Sequence, residues 1–180
     1  MVLNIAVATS GSRVHEAIQF KSYQDSMFLG IGRTQAWNNE KMPPQDNEKQ
    51  TTIQEPIGYK KVGKVSLARR VKESEESSYP TVNYGDQEFV LVPEKEGYKE
   101  QADLVYIETD ILGDDFPSGE YRQIGLHVGM VPKEENKKIL LPEDVKESGT
   151  LMVVENRQRQ NRTPDIQVKE ILILSFAPIA

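Results

Sequence analysis

The chain has no cysteine among its 180 residues. Disulfides and thiolate metal sites are therefore excluded, and the composition fits folding in a reducing cytoplasm. Histidine is nearly as scarce. His15 and His127 stand far apart with no ligand spacing around either, so a surface or half-buried role is expected for both. There is no basic excess. A net charge of −6 disfavours wholesale binding to a nucleic-acid backbone. No apolar run approaches the roughly 18 residues that a membrane-spanning helix needs. The opening "MVLNIAVATS" is too short for a signal peptide and lacks a basic start. P-loop, HExxH and GxSxG motifs are missing too. What remains reads as a soluble, intracellular, non-enzymatic chain with no catalytic residue, cofactor or metal.

Apolar residues are also sparse, at 37% against 28% charged. A core this lean suits long surface loops, or a subunit that completes its burial against partners. The length fits a single domain spanning 1–180.

Residues 1–11 read as an extended lead. After Thr9-Ser10-Gly11, the apolar positions Val14, Ala17 and Ile18 recur at helical spacing, predicting a helix over 12–24. "SMFLGIGR" switches to a buried strand at 27–31. From Asn38 to Pro56 three prolines and no apolar repeat predict a long polar loop, mobile until a neighbour fixes it. The second half is strand-rich, with expected strands at 64–71, 88–93, 103–112, 121–131, 150–155 and 166–176, and one helical turn near 142–145. In 121–131, Ile124, Leu126, Val128 and Met130 share one face, and Gln123, Gly125, His127 and Gly129 share the other. One helix followed by many strands gives an α+β fold, a mainly antiparallel sheet or sandwich with an N-terminal helix and long polar loops. The strands at 120–131, 150–155 and 166–176 are expected in one sheet.

Several candidate motifs fail on spacing. Gly30-Ile31-Gly32 lacks the third glycine and following helix of a dinucleotide fingerprint; close packing in a buried strand explains it better. Glu108, Asp110, Asp114 and Asp115 do not fit an EF-hand loop. The Asn161 sequon has no secretory context.

The informative stretch is "SGTLMVVENRQRQNRTPDIQVKEILILSF", Ser148 to Phe176. Two apolar segments flank a polar loop with Arg157, Arg159 and Arg162. Glu155 falls in register with Leu151 and Val153, and Glu170 interrupts the apolar face of the last strand. Half-buried acids beside arginines favour ion pairs, since a guanidinium binds a carboxylate through two bonds. Contact with a partner remains open, because arginine is enriched at interfaces. An anion site is the third alternative. Glu155, Asn156, Arg157 and Arg159, with Arg33 and Trp37 at the earlier Gly-Arg turn, are the structural or interface candidates.

These residues also carry a resemblance. "VATSGSRVHEAIQF", "MFLGIGRTQAWNNEKMPPQ", "YRQIGL", "PEDVKESGTLMVVENR" and "IQVKEILILSF", in this order, resemble the baseplate wedge protein of contractile-tailed bacteriophages, the family of gene product eight of the T-even phages. The C-terminal block is the most specific part; about 40–118 is weakly matched. The chain is shorter than the T-even member, and the contacts of the additional region are not carried over. The resemblance implies a virion protein of the tail baseplate, assembled in the host cytoplasm. It further implies a dimer that binds other wedge proteins and helps attach tail fibres. The competing expectation is a β-rich tail accessory module that binds host-surface carbohydrate on an aromatic groove of Trp37, Tyr59, Tyr79 and Tyr84.

Overall fold

The computed structural model describes residues 7–176. Most of the extended lead, 1–6, lies outside the described residues. Helix α1 spans Ser10–Lys21, so Ser10 and Gly11 belong to it rather than to the lead. Its apolar positions Val14, Ala17 and Phe20 are all buried, as an amphipathic stripe requires. Thr9 precedes it in extended conformation, and the Ser22 amide closes it on the carbonyls of Ile18 and Gln19. The helix ends before the expected 24, because Tyr23 stays 53% exposed and gains nothing by prolonging the stripe.

Twelve strands follow: β1 Phe28–Gly32, β2 Gly58–Lys61, β3 Lys64–Arg70, β4 Thr81–Tyr84, β5 Gln87–Val92, β6 Leu104–Ile111, β7 Gly119–Val128, β8 Val131–Pro132, β9 Ile139–Leu140, β10 Val145–Glu147, β11 Thr150–Arg162 and β12 Val168–Ser175. The expected turn near 142–145 is a single 3-10 turn, Pro142–Asp144. One five-stranded sheet runs β11-β7-β1-β2-β9, a second runs β12-β6-β3-β5-β4, and β8 pairs with β10. The recorded registers are antiparallel. The fold is therefore mainly antiparallel β with one N-terminal helix.

Three expectations need correction. β12 belongs to the second sheet, not to the sheet of β7 and β11; alternation fixes which face a strand buries but not its neighbour. The supposed loop after Asn156 is strand, since β11 continues to Arg162. Its polar residues hid it from an apolar pattern. The strand at 121–131 stops at Val128, where Gly129 turns with φ 76°.

The described residues fall into two compact units. One comprises residues up to Ser22, Lys64–Ile107 and from Ile171 on; the other comprises Tyr23–Gly63 and Glu108–Glu170. In the first, Ala68, Phe89, Leu91, Leu104 and Tyr106 form a buried cluster. Arg69, which breaks the apolar alternation of β3, is 6% exposed. It bonds Glu75 at 2.5 and 2.8 Å and Glu100 at 2.8 and 3.1 Å. Hydrogen bonds from Arg69 first, then the Lys72 amide, lower the Glu75 carboxyl to about 2.

In the second unit, Phe28, Ile53, Tyr59, Met130 and Leu140 pack together. Ile53 comes from the long loop. The glycines of β1 and β7 admit it: a Cβ on Gly30 would stand 2.7 Å from Ile53 and one on Gly125 2.4 Å. This agrees with the close-packing reading of the Gly-Ile-Gly stretch. It also explains why the mixed face of β7 is covered, with Gln123 fully buried and His127 buried. The expected surface or half-exposed His127 is thus corrected. Its Nδ1–H donates to the Ser148 carbonyl at 3.0 Å, and its ring meets Tyr59 edge-on at 5.2 Å. His15, by contrast, is exposed and lies 2.9 Å from the Tyr98 hydroxyl.

Candidate functional site

The polar residues of β11 form a connected cluster with the long loop. Gly32 sits so close to the loop that a Cβ would lie 2.3 Å from the Gln54 carbonyl oxygen. Next, Arg33 adopts φ 62°, a conformation rare for residues with a Cβ. The turn sends its guanidinium back over the loop. Nε donates to the Gln35 carbonyl at 3.0 Å and an Nη donates to Gln54 Oε1 at 2.7 Å. The same guanidinium lies 4.5 Å from the centre of the Trp37 ring, a cation–π contact. The Trp37 indole N–H then donates to the Arg157 carbonyl at 2.8 Å.

Arg157 carries the chain of contacts onward. It bonds Glu155 at 2.9 and 3.2 Å and reaches Glu170 with another nitrogen. Glu170 is 4% exposed and also accepts from the Tyr121 hydroxyl at 2.7 Å. Burial works against the charge on Arg157, but Glu155 and Glu170 outweigh it and hold the guanidinium above its ordinary value. Tyr121 is pushed up, first by burial and then by Glu170. Both groups therefore keep their protons, and Glu170 keeps two donors.

Asn156 clamps the loop to the strand. Its backbone N–H donates to Asp46 at 2.6 Å, and its side-chain amide Nδ2 donates to the carbonyls of Pro44 and Gln45 at 3.1 and 3.3 Å. Its side-chain oxygen accepts from buried Gln123 at 2.6 Å. Gln123 in turn accepts from the Gln54 amide at 2.7 Å and from Gln50 at 2.9 Å. These contacts tie the loop to β7 and β11 at several points. Its ordering is supplied by polar groups and by one apolar anchor, Ile53, rather than by an apolar stripe.

Five of the six candidates thus converge. Arg159 does not: it is largely exposed and makes a 3.4 Å pair with Glu120. Sequence reasoning missed Arg122, which is 3% exposed and is held by Glu40 at 2.7 Å, Glu120 at 2.8 Å and the Thr34 carbonyl at 2.5 Å. By alternation it shares the face of Ile124 and Leu126, and a charge on that apolar face was the available signal. Arg162 was expected in a polar loop. It is 5% exposed, and two of its guanidinium nitrogens are buried and find no acceptor among the described residues. Burial lowers its proton affinity. Trp37 and Tyr59 are buried as well, so neither offers a ring face to a sugar, which removes half of the proposed aromatic groove.

The cluster is a set of groups committed to one another, an arrangement that rigidifies a sheet edge. A family model described as Baseplate wedge 3 tail fiber network component matches residues 5–176. The chain belongs to this family. The match covers the middle region that the sequence patterns had left weakly assigned. Among its relatives, Virion protein 3 of Enterococcus phage phiEF24C is 49% identical over 173 residues, covering 96% of this chain and 96% of that protein. As a family member the chain is a structural virion protein of the phage tail baseplate. No helix among the described residues is long and apolar enough to cross a membrane.

Proposed function

We propose that the chain is a non-enzymatic subunit of a contractile tail. It binds neighbouring wedge proteins and helps attach the peripheral fibre parts, as a counterpart of gene product eight of the T-even phages. We further propose that it works as a homodimer. The observation that carries the reading is the family match along nearly the whole chain. The geometry agrees with it: Arg157, Glu155, Glu170, Trp37 and Asn156 are occupied in holding the loop and β11 together. Such a cluster suits a subunit that must present a fixed surface to its neighbours.

The test is reconstitution. The chain is purified with the wedge and fibre proteins of its own phage, and binding and mass are measured by light scattering. The expected result is a dimer alone and a stable complex with at least one wedge protein. A chain that binds none of them overturns the reading. Specific binding in a glycan-array screen would favour the carbohydrate module instead.

A further inference from the structure

The second unit carries a surface whose charges are unspent. Three lysines of this unit are paired, Lys60 with Asp115, Lys137 with Asp144 and Lys169 with Glu108, and the first two also line the grooves described next. Lys61, Lys133, Lys138 and Lys146 form no salt bridge among the described residues, although Lys133 also acts electrostatically on Asp144. All four line two grooves of about 420 and 410 Å³. Lys61 lines both grooves, and its backbone amide donates to the Lys138 carbonyl at 2.7 Å. The two grooves therefore share Lys61 at the β2 edge.

Apolar groups complete the pattern. Val131 in one groove is 37% exposed and Leu112 in the other is 42% exposed. Both are branched side chains left uncovered beside free cations. Such a surface takes an extended chain that alternates carboxylates with apolar side chains. In an extended segment successive residues face opposite sides, so apolar anchors and acids of one strand can meet Val131, Leu112 and the lysines in turn.

We propose that this double groove docks an extended, acidic and apolar segment of a neighbouring baseplate protein. The inference rests on the wedge-subunit reading and names the chemistry of the partner. The chain as a whole carries −6, so unpaired lysines gathered in one place attract an acidic segment locally while the rest of the surface repels it. A phosphate polymer fits less well. Asp25 and Glu135 border one groove and Asp110 the other. A uniform polyanion meets these carboxylates, whereas a peptide can set an apolar or basic residue against them.

The experiment uses the full chain and two variants, Lys61→Glu/Lys133→Glu/Lys138→Glu and Val131→Ser/Leu112→Ser. All these positions are exposed or half-buried, so folding is checked by melting and is expected to be unchanged. The probes are a short synthetic peptide alternating glutamate with leucine, inorganic polyphosphate, and the purified wedge proteins. The account expects the peptide to bind the wild-type chain with strong salt dependence. Charge reversal weakens that binding by about tenfold or more, and the serine variant weakens it also. At least one wedge protein follows the same order. Equal peptide binding by wild type and charge-reversed chain overturns the inference. So does polyphosphate that binds as tightly as the peptide and competes with it. If wild type and the charge-reversed chain bind a wedge protein equally, the wedge reading stands and this docking surface falls. If no wedge protein binds while the peptide result holds, the wedge reading falls and the acidic-peptide groove stands.

Discussion

Arg157→Ala removes the cation that Glu155 and Glu170 share. Glu170 is nearly inaccessible and would keep only the Tyr121 hydroxyl. Removing one partner of a buried pair costs about 3–5 kcal/mol, and a loss near the lower figure is expected because Arg157 itself is 18% exposed at its side chain. Lysine at 157 restores part of it, lacking the planar fork. Urea unfolding of the three proteins checks this, and a loss below about 1 kcal/mol would place the pair in the weak class of surface bridges. Arg162 behaves oppositely. Its guanidinium carries the cost of burial without enough acceptors, so Arg162→Met is expected to leave stability unchanged or raise it. A marked fall in melting temperature would mean that an acceptor is present in solution. His127 adds a pH signature. Burial lowers its proton affinity from the ordinary 6.5, against a smaller upward pull from the Ser148 carbonyl. Between the folded value and 6.5 the unfolded chain binds more protons, so stability rises with pH in that window. It is full above the unfolded value and is lost as pH falls toward the folded one. His127→Gln should flatten this part of the urea-midpoint profile relative to wild type; equal slopes in the two proteins would remove His127 as the cause.

At the scale of elements, the loop between β1 and β2 does the work of an edge cover. Its Asp46 carboxylate takes the Asn156 amide, and Trp37 takes the Arg157 carbonyl. Amide exchange should therefore be slow at Asn156 and Gln54 and faster at Lys41 to Lys49, where the loop backbone is exposed. Ile53→Ala opens space beside Gly30 and Gly125 and should cost about 2–4 kcal/mol, with faster exchange over 50–56. Wild-type exchange there after Ile53→Ala would show that the polar clamp alone holds the loop. These elements were unequally legible in the sequence. The helix and seven strands announced themselves because Val14, Ala17 and Phe20, or Ile124 and Leu126, repeat at the right period. β2, β4, β8, β9 and β10 are two to four residues long, too short for a period to register. Residues 156–162 of β11 are polar on both sides; Asn156 and Arg157 turn toward other polar groups rather than toward solvent, and Arg162 is buried without them. The Arg157–Glu170 pairing was readable because Glu170 broke an apolar alternation. The Arg33–Trp37–Arg157 link was not, since it needs a turn at positive φ and a contact across 120 positions of sequence.

For the whole molecule, the lean core and the lysines of the two grooves have one explanation: burial and charge pairing that the isolated chain leaves incomplete are completed by neighbours. Assembly should therefore raise the melting temperature of the chain, since a partner that binds only the folded form stabilises it by mass action. The most direct measurement of the central claim is cross-linking of purified virions with a lysine-reactive reagent, followed by mass spectrometry. The account predicts cross-links from Lys61, Lys133, Lys138 or Lys146 to wedge proteins, and further links from the chain to fibre proteins. Cross-links confined to head or neck proteins, with none to wedge or fibre components, would contradict it.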